Sequence, residues 1–295
     1  MRKILFSIAL LLGAVAAQAQ SLPFLLTPTD ARTAAMAGAS AALPGGSFAP
    51  DNSMAAAALD SRTAAFAAGY NLWAPKTAKM GIASLGGWYR TGRLAIGLDG
   101  RYCIEQPYDI VSGVGKTVGS YTPKEFSAAI GFAYRIADPF SIGLTARLVS
   151  SNLADKASGT AVGADITALY SAAGFSAALG VSNLGTAIRY GNATYAQPAY
   201  ARLGAAYTVS GFTASAEADY LFSGALMAGM GLEYCIADIV SLRGGFHYGD
   251  AAKALPTYAS LGLGLQFAGA SLDVTFLTAS QSLGNTLLFG LGYSF

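Results

Sequence analysis

The chain has 295 residues and a formal net charge of +2, with 53% hydrophobic residues and only 12% charged ones, about half the charged share of an average soluble domain. Taking Arg2 and Lys3 from the 18 basic residues leaves 16, equal to the 16 acidic ones, so no field of one sign exists to hold a nucleic acid. High hydrophobicity without a long apolar run after the first residues points to a membrane crossed by strands rather than helices.

Arg2 and Lys3 precede an apolar run from Ile4 to Val15, and Ala17-Gln-Ala19 offers small residues for cleavage before Gln20. Residues 1–19 therefore read as a secretory signal peptide, and no Cys follows it to carry a lipid. From 20 to 60 the strand pattern is missing. Asp30 to Leu43 is small and nearly uncharged, Pro44-Gly-Gly follows, and Met54 to Leu59 is alanine-rich. Too few polar residues are present for a solvated tail, so residues 20–60 are expected to form a plug within or beneath a barrel.

Residues 61–295 alternate with period two, the mark of strands with two unlike faces. Leu94, Ile96, Leu98, Tyr102 and Ile104 share one face, with Arg93, Asp99 and Arg101 on the other. Phe126, Ala128, Ile130, Phe132 and Tyr134 likewise oppose Glu125, Ser127, Gly131 and Arg135. Ile142 to Leu148 opposes Thr145 and Arg147; Val162 to Ala168 opposes Asp165 and Thr167; later runs set Glu217, Asp219, Glu233, Arg243 and Asp273 inward. Turn clusters divide the stretch into about fourteen strands, an even number typical of outer-membrane barrels. The expected fold is all-β, a transmembrane antiparallel up-and-down β-barrel with an N-terminal plug. Short hairpins are expected at Tyr89 to Arg93, Ala137-Asp-Pro and Val209-Ser-Gly, with longer excursions at 105–122, 151–160 and 184–197.

Aromatics gather toward strand ends, among them Tyr70, Trp73, Trp88, Tyr89, Tyr134, Tyr170, Tyr220 and Tyr248, as in interfacial girdles. The chain ends on an alternating strand, Asn285 to Phe295, with Leu287, Phe289, Leu291, Tyr293 and Phe295 on one face. It reads as the sealing strand, and Tyr293 and Phe295 as a signal for the barrel assembly machinery.

Little here suggests chemistry. His247 is the only histidine, so a Ser-His-Asp site would rest on it alone, and it reads as a lumen residue satisfied by a neighbour. Cys103 and Cys235 lie in distant strands, which disfavours a bridge. Gly113-Val-Gly115-Lys116-Thr117 ends like a phosphate loop but lacks the earlier glycine, with Ile110 in its place, and reads as a barrel loop. Asn192-Ala-Thr194 matches a glycosylation triplet, a frequent accident. No catalytic, metal or cofactor site is expected. The candidate functional residues are the lumen charges Arg93, Asp99, Arg101, Arg147, Asp165 and Arg243, as structural pairs or a solute path. Arg147 and Asp165 lie nearly equidistant from a turn near Ala157 and are expected to pair.

Several segments carry a resemblance: Phe24-Leu-Leu-Thr-Pro-Thr-Asp-Ala-Arg-Thr-Ala-Ala-Met-Ala-Gly38, Tyr121-Thr-Pro-Lys-Glu-Phe126, Ala146 to Leu153, Val162 to Tyr170, Gly180 to Tyr190 and Arg202-Leu-Gly-Ala-Ala-Tyr207. In their order and spacing the chain resembles the PorV/PorQ family of outer-membrane proteins, relatives of the FadL-type fatty-acid channels, and its PorV branch most closely. The resemblance implies a fourteen-stranded barrel with a plug in the outer membrane of a Gram-negative bacterium. It also implies a non-enzymatic part in type IX protein secretion, with the translocon and secreted cargo as partners besides outer-membrane lipids. The alternative function is a FadL-like channel for hydrophobic small molecules.

Overall fold

A computed structural model describes residues 21–295 except Lys156; the expected signal peptide lies outside these residues. Fourteen strands form a closed antiparallel barrel. They are β1 (Ala64–Trp73), β2 (Met80–Thr91), β3 (Leu94–Ile104), β6 (Lys124–Ala137), β7 (Phe140–Ala154), β8 (Ala157–Ala172) and β9 (Phe175–Gly185), followed by β12 (Tyr200–Val209), β13 (Phe212–Leu221), β14 (Ala225–Ile236), β15 (Val240–Gly249), β16 (Tyr258–Phe267), β17 (Ala270–Thr278) and β18 (Thr286–Ser294). Two small hairpins stand apart from the wall: β4 (Tyr108–Val111) with β5 (Thr117–Tyr121), and β10 (Ile188–Tyr190) with β11 (Ala193–Tyr195). Each wall strand pairs with its neighbours in wall order, so the topology is a meander.

Closure falls to the last residues. Ala65 pairs with Ser294 and Leu72 with Leu287, and beyond the registered pairs Thr63 N and Ala64 N donate to the Phe295 carbonyl at 2.7 and 2.9 Å. Phe295 also lies 6.4 Å from Phe66 and 6.1 Å from Tyr293, ring centre to ring centre. Full closure leaves no unpaired edge.

One end of the barrel has tight turns. Ala173-Gly174, Ser210-Gly211 and Ala268-Gly269 all have positive φ, the two-residue conformation whose twist matches that of the flanking strands. Longer connections occupy the other end and include both small hairpins. In place of the long excursion expected at 151–160, β7 and β8 continue as a 15- and a 16-residue strand to Ala154 and from Ala157. Polar residues there mimic a turn, but Ser151 faces inward, buried, and donates to Glu125 Oε1 at 2.9 Å. The Gly113 to Thr117 stretch forms the tip of the β4–β5 hairpin.

Outside, the wall is apolar: Leu85, Leu98, Leu144, Leu179, Leu203, Met230, Leu261 and Leu291 are all exposed. No described helix is long and apolar enough to cross a membrane. Outward aromatics such as Tyr89, Tyr134, Phe175, Tyr207, Tyr234 and Tyr293 rim the turn end, and Tyr70, Tyr102, Tyr220 and Tyr248 the loop end. Trp73 and Trp88 do not belong to these girdles. Both are buried on the inward face, and Trp88 Nε1 donates to the Gly46 carbonyl at 2.9 Å. In β2 the inward parity runs through Ser84, Gly86 and Trp88, so the ring points into the lumen.

Within the wall lies the N-terminal segment. A 3-10 turn (Pro23–Leu26) and three short helices, α1 (Ala31–Ala35), α2 (Ala49–Asn52) and α3 (Met54–Leu59), pass from the loop end to the turn end. Asp30 caps α1, accepting from Thr33 N at 2.8 Å, and Asn52 Nδ2 reaches back to the same carboxylate at 2.9 Å. Backbone approaches wall directly. A Cβ on Gly229 would lie 2.2 Å from the Ala37 carbonyl oxygen, and one on Gly143 would lie 2.5 Å from Ala55 N.

Candidate functional site

Helices of four to six residues leave most of their backbone groups without helical partners, and a buried group without a partner is costly. The inward side chains of the wall supply what is missing. Ser84 Oγ donates to the Thr29 carbonyl at 3.0 Å, Asn71 Nδ2 to that of Pro28 at 3.1 Å, Thr275 Oγ1 to that of Ala31 at 2.6 Å, and Ser260 Oγ to that of Ala35 at 2.8 Å. On the far side Ser141 Oγ donates to the Ala55 carbonyl at 2.8 Å, while Ser40 N and Ala41 N donate to Glu217 Oε2 at 2.8 and 2.7 Å. The small polar residues alternating along the wall are thus caps for the segment inside it.

Three ionic groups complete the attachment. Near the α2 helix, Arg147 Nη2 lies 2.8 Å from Asp51 and 3.3 Å from Asp165, with Asp99 at 3.8 Å from Nη1; Arg101 is 3.6 Å from Asp51 and donates to the Thr27 carbonyl at 3.0 Å and to its hydroxyl. Arg202 binds Glu217 and donates to Ser40 Oγ at 2.9 Å and the Asn52 carbonyl at 2.6 Å. Toward the turn end Arg32 meets Glu233 at 2.7 Å, and Arg243 bridges Glu233 and Asp273 at 2.5 Å each. Burial opposes the charge on Arg32, but the Glu233 carboxylate more than offsets it and pushes the guanidinium pKa up.

The structure brings Asp99, Arg101, Arg147 and Asp165 together and puts Arg243 in the lower group. Arg147 and Asp165 do pair, as diagonal neighbours, since Arg147 registers with Gly163 and Asp165 with Thr145. Arg93 is elsewhere: with Gly92 it makes the exposed turn between β2 and β3, because the inward face of β3 begins only at Ala95. Arg135 also stays near that turn, its Nη2 3.5 Å from the Gly92 carbonyl. Arg32, Asp51 and Arg202 were absent from the expected charges. Arg202 was findable, since it opposes Leu203 in an alternating strand; the other two lie in the segment and have no period to betray them.

Above this polar middle the lumen is apolar. Leu22, Phe24 and Leu25 pack with Trp73, Ile82, Val149, Ile188, Leu221, Met227, Leu255 and Leu288 in one buried cluster at the loop end. The β10–β11 hairpin covers part of it, held by Gln197 Nε2, which donates to the Val162 and Thr186 carbonyls at 2.9 Å each. Between the chamber and the ionic groups lies a cavity of about 60 Å³. At the turn end two clefts of about 300 and 450 Å³ flank Arg32 and Arg62. The wall itself has one irregular seam: β8 and β9 shift register around Asp165, where Asn183 has φ 56° and donates from its backbone to Asp165 Oδ1 at 2.6 Å.

No protein-family model matches the chain, and no curated protein does. Solved structures match its fold closely. The Ralstonia pickettii toluene transporter TbuX superposes with a TM-score of 0.69 at 14% identity, over 92% of this chain and 99% of that one. The P. putida toluene transporter TodX gives 0.70 at 12% identity over 92% and 99%. A Pseudomonas aeruginosa FadL homologue gives 0.59 at 14% identity over 91% and 96%. Two of these neighbours are toluene transporters and the third is a FadL homologue.

Proposed function

We propose that this protein is a FadL-like outer-membrane channel through which hydrophobic small molecules pass, with residues 20–60 as its plug. The observation that carries this reading is the apolar chamber at the loop end, filled by Leu22, Phe24 and Leu25 of the chain itself. A solute of similar character can take the place of these side chains at little cost in buried apolar area. The likeness in fold to toluene transporters supports the same reading. Below the chamber an apolar solute could pass only by breaking the ion pairs between wall and segment and leaving buried charges unpaired, which is expensive. The solute path therefore turns sideways through the wall, at the irregular β8–β9 seam beside Asn183. In this reading the apolar outer band lies in the outer membrane of a Gram-negative bacterium, and the assembly machinery reads Tyr293 and Phe295.

A strain deleted for the gene tests the proposal. Uptake of toluene or a comparable apolar compound is expected to fall, with surface-exposed secreted proteins unchanged. The opposite result, intact uptake with those proteins lost from the surface, would replace the channel by the cargo-binding role in type IX secretion that the family resemblance implies.

A further inference from the structure

Three arginines meet at one hairpin tip. Gly92 and Arg93 join β2 to β3 at the turn end, and Leu94 registers with Tyr134 of β6. One step further Arg135 N donates to the Arg93 carbonyl at 2.8 Å, so Arg93 and Arg135 stand opposite each other on neighbouring strands. Arg90, near the end of β2, donates from Nη1 to the Gly92 carbonyl at 3.3 Å, and Arg135 Nη2 lies 3.5 Å from the same oxygen. Two guanidiniums therefore converge on one atom at the tip, with Arg93 exposed beside them.

Like charges set opposite each other in an antiparallel pair are destabilising, and the chain does not offset these. Among the described residues no carboxylate forms an ion pair with Arg90, Arg93 or Arg135. Asp60 is committed to Arg62 at 2.7 Å. Arg90 spends its other donors on the backbone, Nε on the Arg62 carbonyl at 3.2 Å and Nη2 on that of Ser61 at 3.4 Å, whereas Arg135 Nε is shielded and has no hydrogen-bond partner. A shielded donor among unpaired guanidiniums calls for an anion with several acceptor oxygens, and the planar guanidinium suits phosphate above all. The feature is local. The other turns of this end, at 138–139, 173–174, 210–211, 237–239 and 268–269, contain no Lys or Arg.

We propose that this tip binds the phosphate of an anionic phospholipid headgroup. What singles out a lipid is the wall beside it: Tyr89, Leu94, Tyr134 and Ile136, on the same strand ends, all face outward and are exposed. Tyrosines in such a rim mark the headgroup level of a membrane, so the arginines at the tip lie where lipid phosphates lie, and the apolar surface that acyl chains cover adjoins them. Three cations without a carboxylate favour a headgroup of net negative charge over one that carries its own ammonium. The site requires the wall to lie in a bilayer and does not depend on what passes through the lumen.

Thermal unfolding of the folded full-length mature barrel in dodecylmaltoside micelles tests it, at constant ionic strength, with titrations of phosphatidylglycerol, phosphatidylcholine and inorganic phosphate. A saturable rise in Tm with phosphatidylglycerol, absent with the other two, is expected. Arg93→Gln should raise the half-saturating mole fraction about fivefold, the effect of one basic residue at an anionic surface, and Arg93→Gln with Arg135→Gln should raise it further. Lys253→Gln, in an exposed loop at the opposite end, should leave it unchanged. If the double variant does not fold, the exposed Arg93→Gln alone must still show its shift. An equal rise with phosphatidylcholine, an equal rise with inorganic phosphate alone, or a response to phosphatidylglycerol that Arg93→Gln leaves intact or that Lys253→Gln weakens as much would overturn the proposal.

Discussion

The two levels of the lumen are built from opposite materials. Its middle is held by directed contacts: Arg101, Arg147 and Arg202 on the wall, and Ser84, Ser260 and Thr275 on the carbonyls of the segment. Its loop end is held by contact among Leu22, Phe24, Leu25 and the apolar wall around them. Hydrogen bonds and buried ion pairs specify one arrangement and are costly to break, whereas apolar contact is non-directional and can be exchanged for other apolar matter. The same segment is therefore fixed where it is polar and exchangeable where it is apolar.

Substitutions on either level test that contrast. The largest loss is expected for Arg147→Ala, which leaves Asp51, Asp99 and Asp165 short of their shared cation and should cost about 3–5 kcal/mol; the readout is the temperature at which the folded band disappears from unboiled gels, and an unchanged temperature would deny the middle its role. Gly229→Val drives a side chain into the Ala37 carbonyl and should cost about 1–3 kcal/mol. Gly100→Val, where an added Cβ meets only an ordinary contact at 3.7 Å, should be near neutral. In the apolar chamber Leu25→Ala should cost about 2 kcal/mol and increase apolar uptake, since it vacates room a solute can fill; reduced uptake would mean that the chamber is not on the path. The smallest effect on the folded state belongs to the rim: Tyr293→Asp with Phe295→Asp should cost about 0–1 kcal/mol per site yet lower the amount of barrel inserted in the membrane, measured by fractionation.

The barrel was legible because each wall strand carries its own evidence. In β6, Phe126, Ile130 and Phe132 face out while Glu125 and Ser127 face in, and no distant residue is needed to see it. Interior pairing is another matter. Arg32 meets Glu233 across 201 positions of sequence, and nothing local to either residue announces the other. Trp88 shows the limit of reading by residue type, since a tryptophan near a strand end satisfies the girdle pattern until the parity of Ser84 and Gly86 turns it inward. Arg93 fails for a similar reason: its alternation with Leu94 holds, but the strand begins one residue after it. The secretion role implied by resemblance rested on segments that the barrel uses to hold its own interior, among them Thr27 to Ala31 and Arg202.

The central claim is that apolar solutes pass while the middle of the segment stays in place. An added Cβ on Gly204 would lie 3.2 Å from the Ala41 Cβ, close to the spacing a disulfide spans. Ala41→Cys with Gly204→Cys, in a background with Cys103→Ser and Cys235→Ser, can therefore tether segment to wall. Uptake of toluene by cells carrying the oxidised, tethered barrel should equal that of the untethered parent; a block on oxidation that reduction relieves would contradict the account.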